Sequence, residues 1–97
     1  MQLLKKEKKE FELASQLFRS GTAIGALVEE AIGGQSRKDF YTKLTIAYKE
    51  ARESKYWLRL IQECQLMEPT KVDKLLGDIE EILRIIGAIQ KSIRNNS

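Results

Sequence analysis

The stretch VDKLLGDIEEILRIIGAIQKSI, Val72 to Ile93, decides the fold class. At about 100° per residue, Val72, Leu75, Leu76, Ile79, Ile82, Leu83, Ile86, Ile89 and Ile93 share one face. Lys74, Glu81, Arg84, Ala88 and Lys91 lie away from it. That period predicts an amphipathic helix packing on one side only. Pro69 and Thr70 mark its start, with Thr70 the predicted N-cap facing Asp73. The tail Asn95 to Ser97 is expected to fray.

Upstream, Ser36 reads as an N-cap with Asp39 three residues on, opening a second helix from about Arg37 to Leu66. Phe40, Leu44, Ala47, Ala51 and Leu58 form one apolar stripe, flanked by Tyr48. Ile46, Trp57 and Cys64 form another, with Ile61 between the two. Gly33, Gly34 and Gln35 end a first helix, Phe11 to Ile32. Its apolar side runs through Leu13, Ala14, Leu17, Phe18, Gly21, Ile24, Gly25, Val28, Ala31 and Ile32 and covers more than half the circumference. Glycine costs about 1 kcal/mol inside a helix, so Gly21 and Gly25 point to a close packing contact.

No segment reads as a strand. The expectation is one domain over residues 1–97, an all-α antiparallel up-down bundle of three long helices. The first two helices each carry apolar surface for two neighbours, and three helices supply too few. A homo-oligomer follows, with Phe18, Gly21, Gly25, Ile46 and Trp57 at its packing or subunit contacts.

Composition narrows the function. The 97 residues contain no histidine and a single cysteine, which removes the usual zinc, haem and His-based acid/base arrangements. No Asp-rich calcium loop, phosphate loop or nucleophile elbow is present. The chain therefore reads as a non-enzyme with no cofactor, no metal and no small-molecule substrate. Cys64 alone fits a reducing compartment, no run is long enough to span a bilayer, and no signal peptide opens the chain. The cytoplasm is the expected location, without a membrane partner. Cys64 itself is expected to be a buried small hydrophobe.

Residues 36–66 hold seven Lys or Arg against four Asp or Glu, the whole formal charge of +3. Lys38, Lys49, Arg52, Lys55 and Arg59 lie on the outer arc of the second helix, interleaved with Tyr41 and Tyr56. Cations neutralise phosphates and tyrosines stack on unpaired bases, so RNA or DNA is the alternative partner. A plainly solvated face explains the same residues. Lys5, Lys6, Lys8 and Lys9, relieved by Glu7 and Glu10, are expected to form a solvated N-terminal segment over residues 1–10. Glu50 and Glu53 lie close to the Ile46/Trp57 stripe, and a pair with Arg19 or Arg52 is more economical than acid/base work.

From Ser15 to Leu60 the chain resembles the bacterial 23S rRNA intervening-sequence protein family. The resemblance rests on the run SQLFRSGTAIG of Ser15 to Gly25, on Glu29-Glu30-Ala31, on Ser36, Lys38, Asp39 and Phe40, and on EARE at Glu50 to Glu53 followed by Tyr56-Trp57-Leu58. It extends more loosely to Ile93. It implies a four-helix bundle assembling as a ring-like homopentamer, with a biochemical role poorly defined. It also implies kinship with accessory proteins of diversity-generating retroelements, which use a similar barrel to engage nucleic acid and a reverse transcriptase. Family members carry a helix ahead of the segment that begins here near Lys5, and Met1 to Glu10 resembles the end of that helix and its connection. A late start, a fragment and a true three-helix chain all fit.

Overall fold

The computed structural model describes residues 2–96, with side chains from Glu7 onward. Three helices follow in order: α1 (Gln2–Ile32), α2 (Arg37–Glu63) and α3 (Pro69–Asn95). Among the described residues there is no strand. The expected connection at residues 1–10 is corrected, because α1 runs unbroken from Gln2. No proline or glycine interrupts that stretch, so helix propensity carries it on.

The first turn forms as read. Gly33 donates to Glu29 O at 3.0 Å and Gly34 to Ala31 O at 3.2 Å, closing α1. The Ser36 hydroxyl then accepts from Asp39 N at 3.0 Å and caps α2.

The second turn differs. α2 stops at Glu63, three residues before the expected end. Gln65 takes φ 54, Leu66 N bonds Ile61 O and Gln65 N bonds Gln62 O, both at 3.0 Å. This is a Schellman closure, with Leu66 packing back into the cluster of Ile61. Glutamine sits where glycine is usual, so no sequence signal marked the stop. Thr70 is not the cap of α3. Glu68 holds that position without a side-chain cap, Pro69 is the first helical residue, and the Thr70 hydroxyl donates to Glu68 Oε1 at 2.7 Å.

Both α1 and α3 pack along α2, and their backbones do not approach one another. Three buried clusters run along the body. Leu13, Ile61 and Val72 lie at one end, Ile24, Ala51, Leu58 and Ile79 in the middle, and Ala31, Leu44, Ala47 and Ile86 at the other end. Small residues on α2 (Ala47, Ala51, Ser54) let α1 come close. At that crossing the buried Ser20 hydroxyl donates to Leu17 O at 3.2 Å, leaving Ser54 to donate to Ser20 at 2.7 Å. The arrangement is three corners of a square, with the corner between α1 and α3 open.

Candidate assembly face and nucleic-acid groove

The open corner is a cleft of about 440 Å³. Leu17, Gly21, Ile24 and Gly25 form its α1 wall, Leu75, Asp78, Ile79 and Ile82 its α3 wall, and Ser54 and Leu58 its floor. Gly21 and Gly25 meet nothing within 4 Å of where a Cβ would stand. No helix of this chain uses the close approach they permit. Phe11, Phe18 and Ile32 stand at multiples of seven residues from Gly25 and are 74%, 74% and 71% exposed, so one heptad seam borders the cleft on α1. On α3, Leu75, Ile85 and Ile89 are exposed beside Ile82. Within the chain α3 packs on one side only, against α2, and part of its apolar face is left turned to the cleft.

The remaining residues of the expected interface lie elsewhere. Ile46 is exposed on α2, one and two turns before Glu50 and Glu53, and Trp57 is half-buried against Leu13 and Ile61. Cys64 is half-buried at the C-cap of α2, not within an apolar stripe, which corrects its assignment to the core.

A second concavity, of about 640 Å³, lies along the outer seam of α2 and α3. Tyr48, Arg52, Lys55, Tyr56 and Arg59 line it from α2, and Glu80, Leu83 and Arg84 from α3. Lys55 pairs with Glu80, and the Glu80 carboxyl is held below its usual range by the Lys55 hydrogen bond first and by the Arg59 and Arg84 charges last. Arg52, Arg59 and Arg84 make no ion pair within 4 Å among the described residues. Further along the same seam Arg37, Lys38, Tyr41, Ile93 and Arg94 line a smaller hollow. Arg94 donates to the Tyr41 hydroxyl there at 3.4 Å. Lys49 is exposed and lines neither hollow.

The carboxylates Glu50 and Glu53 meet Arg19 of α1, Glu50 at 3.4 Å and Glu53 more closely. Trp57 Nε1 donates to the same Glu53 Oε1 at 3.2 Å. These two donors, Arg19 foremost, pull the Glu53 carboxyl below its ordinary range. Trp57 in turn meets Tyr56 edge to face, with centroids 5.0 Å apart. A chain of contacts thus runs from α1 to the exposed tyrosine of the basic groove. Among the described residues no group of three or more His, Cys, Asp or Glu is placed to hold a metal ion, and no helix is long and apolar enough to cross a membrane.

The family model of the 23S rRNA-intervening sequence protein matches residues 1–88. The chain belongs to this family. A solved structure of a protein of unknown function from the S23 ribosomal protein family of Bacteroides thetaiotaomicron VPI-5482 is 41% identical. It superposes with a TM-score of 0.82 over 93% of this chain and 83% of that one. No curated protein matches significantly. Within this member of the 23S rRNA-intervening sequence protein family, sequence reading missed Arg84, Arg37 and Arg94 as groove residues. Arg84 was visible only as a residue on the polar side of α3, and nothing local says which helix that side adjoins. Ile85 escaped notice because it lies off the main α3 stripe.

Proposed function

We propose that the protein is a non-enzymatic helical-bundle subunit of a homo-oligomeric scaffold. The open corner between α1 and α3 carries this reading. Of the eight large apolar residues exposed among the described ones, six (Phe11, Phe18, Ile32, Leu75, Ile85 and Ile89) lie on the two helix faces that border it. Contiguous exposed apolar surface of this kind marks interfaces on soluble proteins. The accessible surface of 7148 Å² supports it further. A compact monomer of 11.2 kDa would expose about 5,700 Å². The excess is larger than the roughly 800 Å² that each partner contributes to a standard interface. A ring of five copies, which the family resemblance implies, ranks first among stoichiometries. Light scattering coupled to size exclusion tests the scaffold: an oligomer at tens of micromolar is expected, and a well-folded monodisperse monomer overturns it.

A second role, binding RNA or DNA, is favoured by one observation. Arg84 of α3 joins Arg52, Lys55, Arg59, Tyr48 and Tyr56 of α2 around a single concavity. A merely solvated face of α2 has no reason to gather its cations and tyrosines into one groove with a cation of α3. Filter retention of RNA and DNA at low salt tests it, and no retention of either refutes it.

A further inference from the structure

The outer seam of α2 and α3 is longer than the hollow around Arg84. Lys38, Tyr41, Tyr48, Arg52, Lys55 and Arg59 recur at intervals of three, four or seven residues, so they lie along one face of α2. The two basic hollows are its ends. From Lys38 to Arg52 is about 20 Å of helix at 1.5 Å per residue.

Between the ends, polar side chains of the two helices meet across the seam. Gln90 Nε2 donates to Thr45 Oγ1 at 2.8 Å there. Tyr48 lies against α3 beside Gly87, where an added Cβ would stand 3.7 Å from its ring. An aromatic surface thus sits between two cationic ends. Tyr56, more than half exposed, is the second platform, and its ring meets Trp57 in a T-shaped contact.

We infer that this seam is a two-ended binding groove for single-stranded nucleic acid, with phosphates at the Arg52/Arg59/Arg84 and Arg37/Lys38 ends and bases stacked on Tyr56 and Tyr48. This rests on the nucleic-acid role proposed above and specifies its ligand. Tyrosine faces can stack only on bases whose own faces are free, and in a duplex those faces are covered by neighbouring pairs. A duplex would satisfy the arginines and leave the tyrosines idle. An acidic peptide would do the same. The groove's length fits a short strand, since single-strand sites of this type span roughly 4–16 nucleotides.

Fluorescence anisotropy of the full chain with labelled oligouridylates of two to twelve nucleotides tests the groove, beside oligothymidylates, a duplex of twelve pairs and polyglutamate. Affinity should climb with length and level off once both ends are occupied. The duplex and polyglutamate should bind at least about tenfold more weakly than the longest strand. RNA and DNA strands should agree within a few-fold, since stacking and phosphate contacts do not require the 2′-hydroxyl.

Two variants locate the contacts. Tyr56→Leu should weaken strand binding roughly fivefold to a hundredfold, the range for losing one stacked base, with the salt dependence unchanged. The double variant Arg37→Glu, Lys38→Glu should weaken binding of twelve nucleotides but not of four. Circular dichroism and size exclusion verify that both variants stay folded. Equal binding of duplex, or of polyglutamate, overturns the single-strand groove while some nucleic-acid binding survives. A length-independent affinity, or an unaffected Tyr56→Leu, overturns it also. Absence of binding by every nucleic acid at low salt takes down the broader role with it.

Discussion

Two concavities flank α3, and they share almost nothing but the helix between them. The corner facing α1 is walled by Leu17, Ile24, Leu75, Ile79 and Ile82, with glycines at positions 21 and 25. The seam facing the outer side of α2 is lined by Arg52, Lys55, Arg59 and Arg84. One surface gains by leaving water, the other by attracting charge through it. A single helix serves both because its 3.6-residue period separates Ile82 and Ile89 from Glu80 and Arg84. The two surfaces should therefore fail independently when mutated.

The largest effects are expected at the apolar corner. Phe18→Asp combined with Ile85→Asp should dissociate the oligomer while leaving each subunit folded, because both side chains are exposed in the single chain. Truncated interface anchors cost about 2 kcal/mol or more each, whereas surface changes on a monomer stay within roughly 0.5 kcal/mol. Gly25→Leu sharpens the point. A Cβ there meets nothing within 4 Å and the position lines the open cleft, so helicity and subunit stability should hold or rise slightly while assembly is lost. Size exclusion with circular dichroism separates these outcomes.

Next comes the basic seam. Arg52→Glu with Arg59→Glu should reduce RNA or DNA binding by at least tenfold, and the logarithmic salt slope should fall by about one for each phosphate no longer neutralised. Oligomer size should not move. A charge reversal that also broke the assembly would show that the two surfaces are one.

Smaller effects belong to the α1–α2 crossing that holds the corner's wall in place. Ser20→Ala leaves the buried Ser54 hydroxyl without its acceptor and should cost about 1–2 kcal/mol in denaturant unfolding. Adding Ser54→Ala should cost less than the sum of the two single changes, since both partners then go together.

The smallest effect is a pH dependence from Glu53. Its folded carboxyl lies below the ordinary range because Arg19 and then Trp57 donate to it. A depressed carboxylate contributes stability above its unfolded pKa, near 4.3, and loses it as pH falls through the lower folded value. Glu53→Gln should flatten the acid limb of the stability curve below about pH 4.5 by a fraction of a kcal/mol, because the group is partly exposed.

Helix number and handover at Ser36 were legible because each rests on local chemistry: the α3 period, and the Ser36 hydroxyl with Asp39. The unpartnered apolar arc of α1 was legible as well, since an arc wider than one neighbour can cover is a property of the sequence alone. What was hidden depends on packing. Gln65 in a left-handed conformation carries no glycine to announce it. The division of the α3 face between α2 and the open corner depends on where α2 sits. Arg84 became a groove residue only because α3 packs with that side beside Arg52 and Arg59. Family membership added the architecture and left the ligand open.

The central claim, that another copy covers the open corner, is tested most directly by thiol modification of Gly25→Cys in a Cys64→Ser background at tens of micromolar. Lys49→Cys in the same background serves as the exposed reference, on the side of α2 away from the corner. In the native assembly the thiol at position 25 should react at least about tenfold more slowly than that at position 49, and the difference should vanish when Phe18→Asp and Ile85→Asp are added. Equal rates at the two positions in the native protein would contradict the claim.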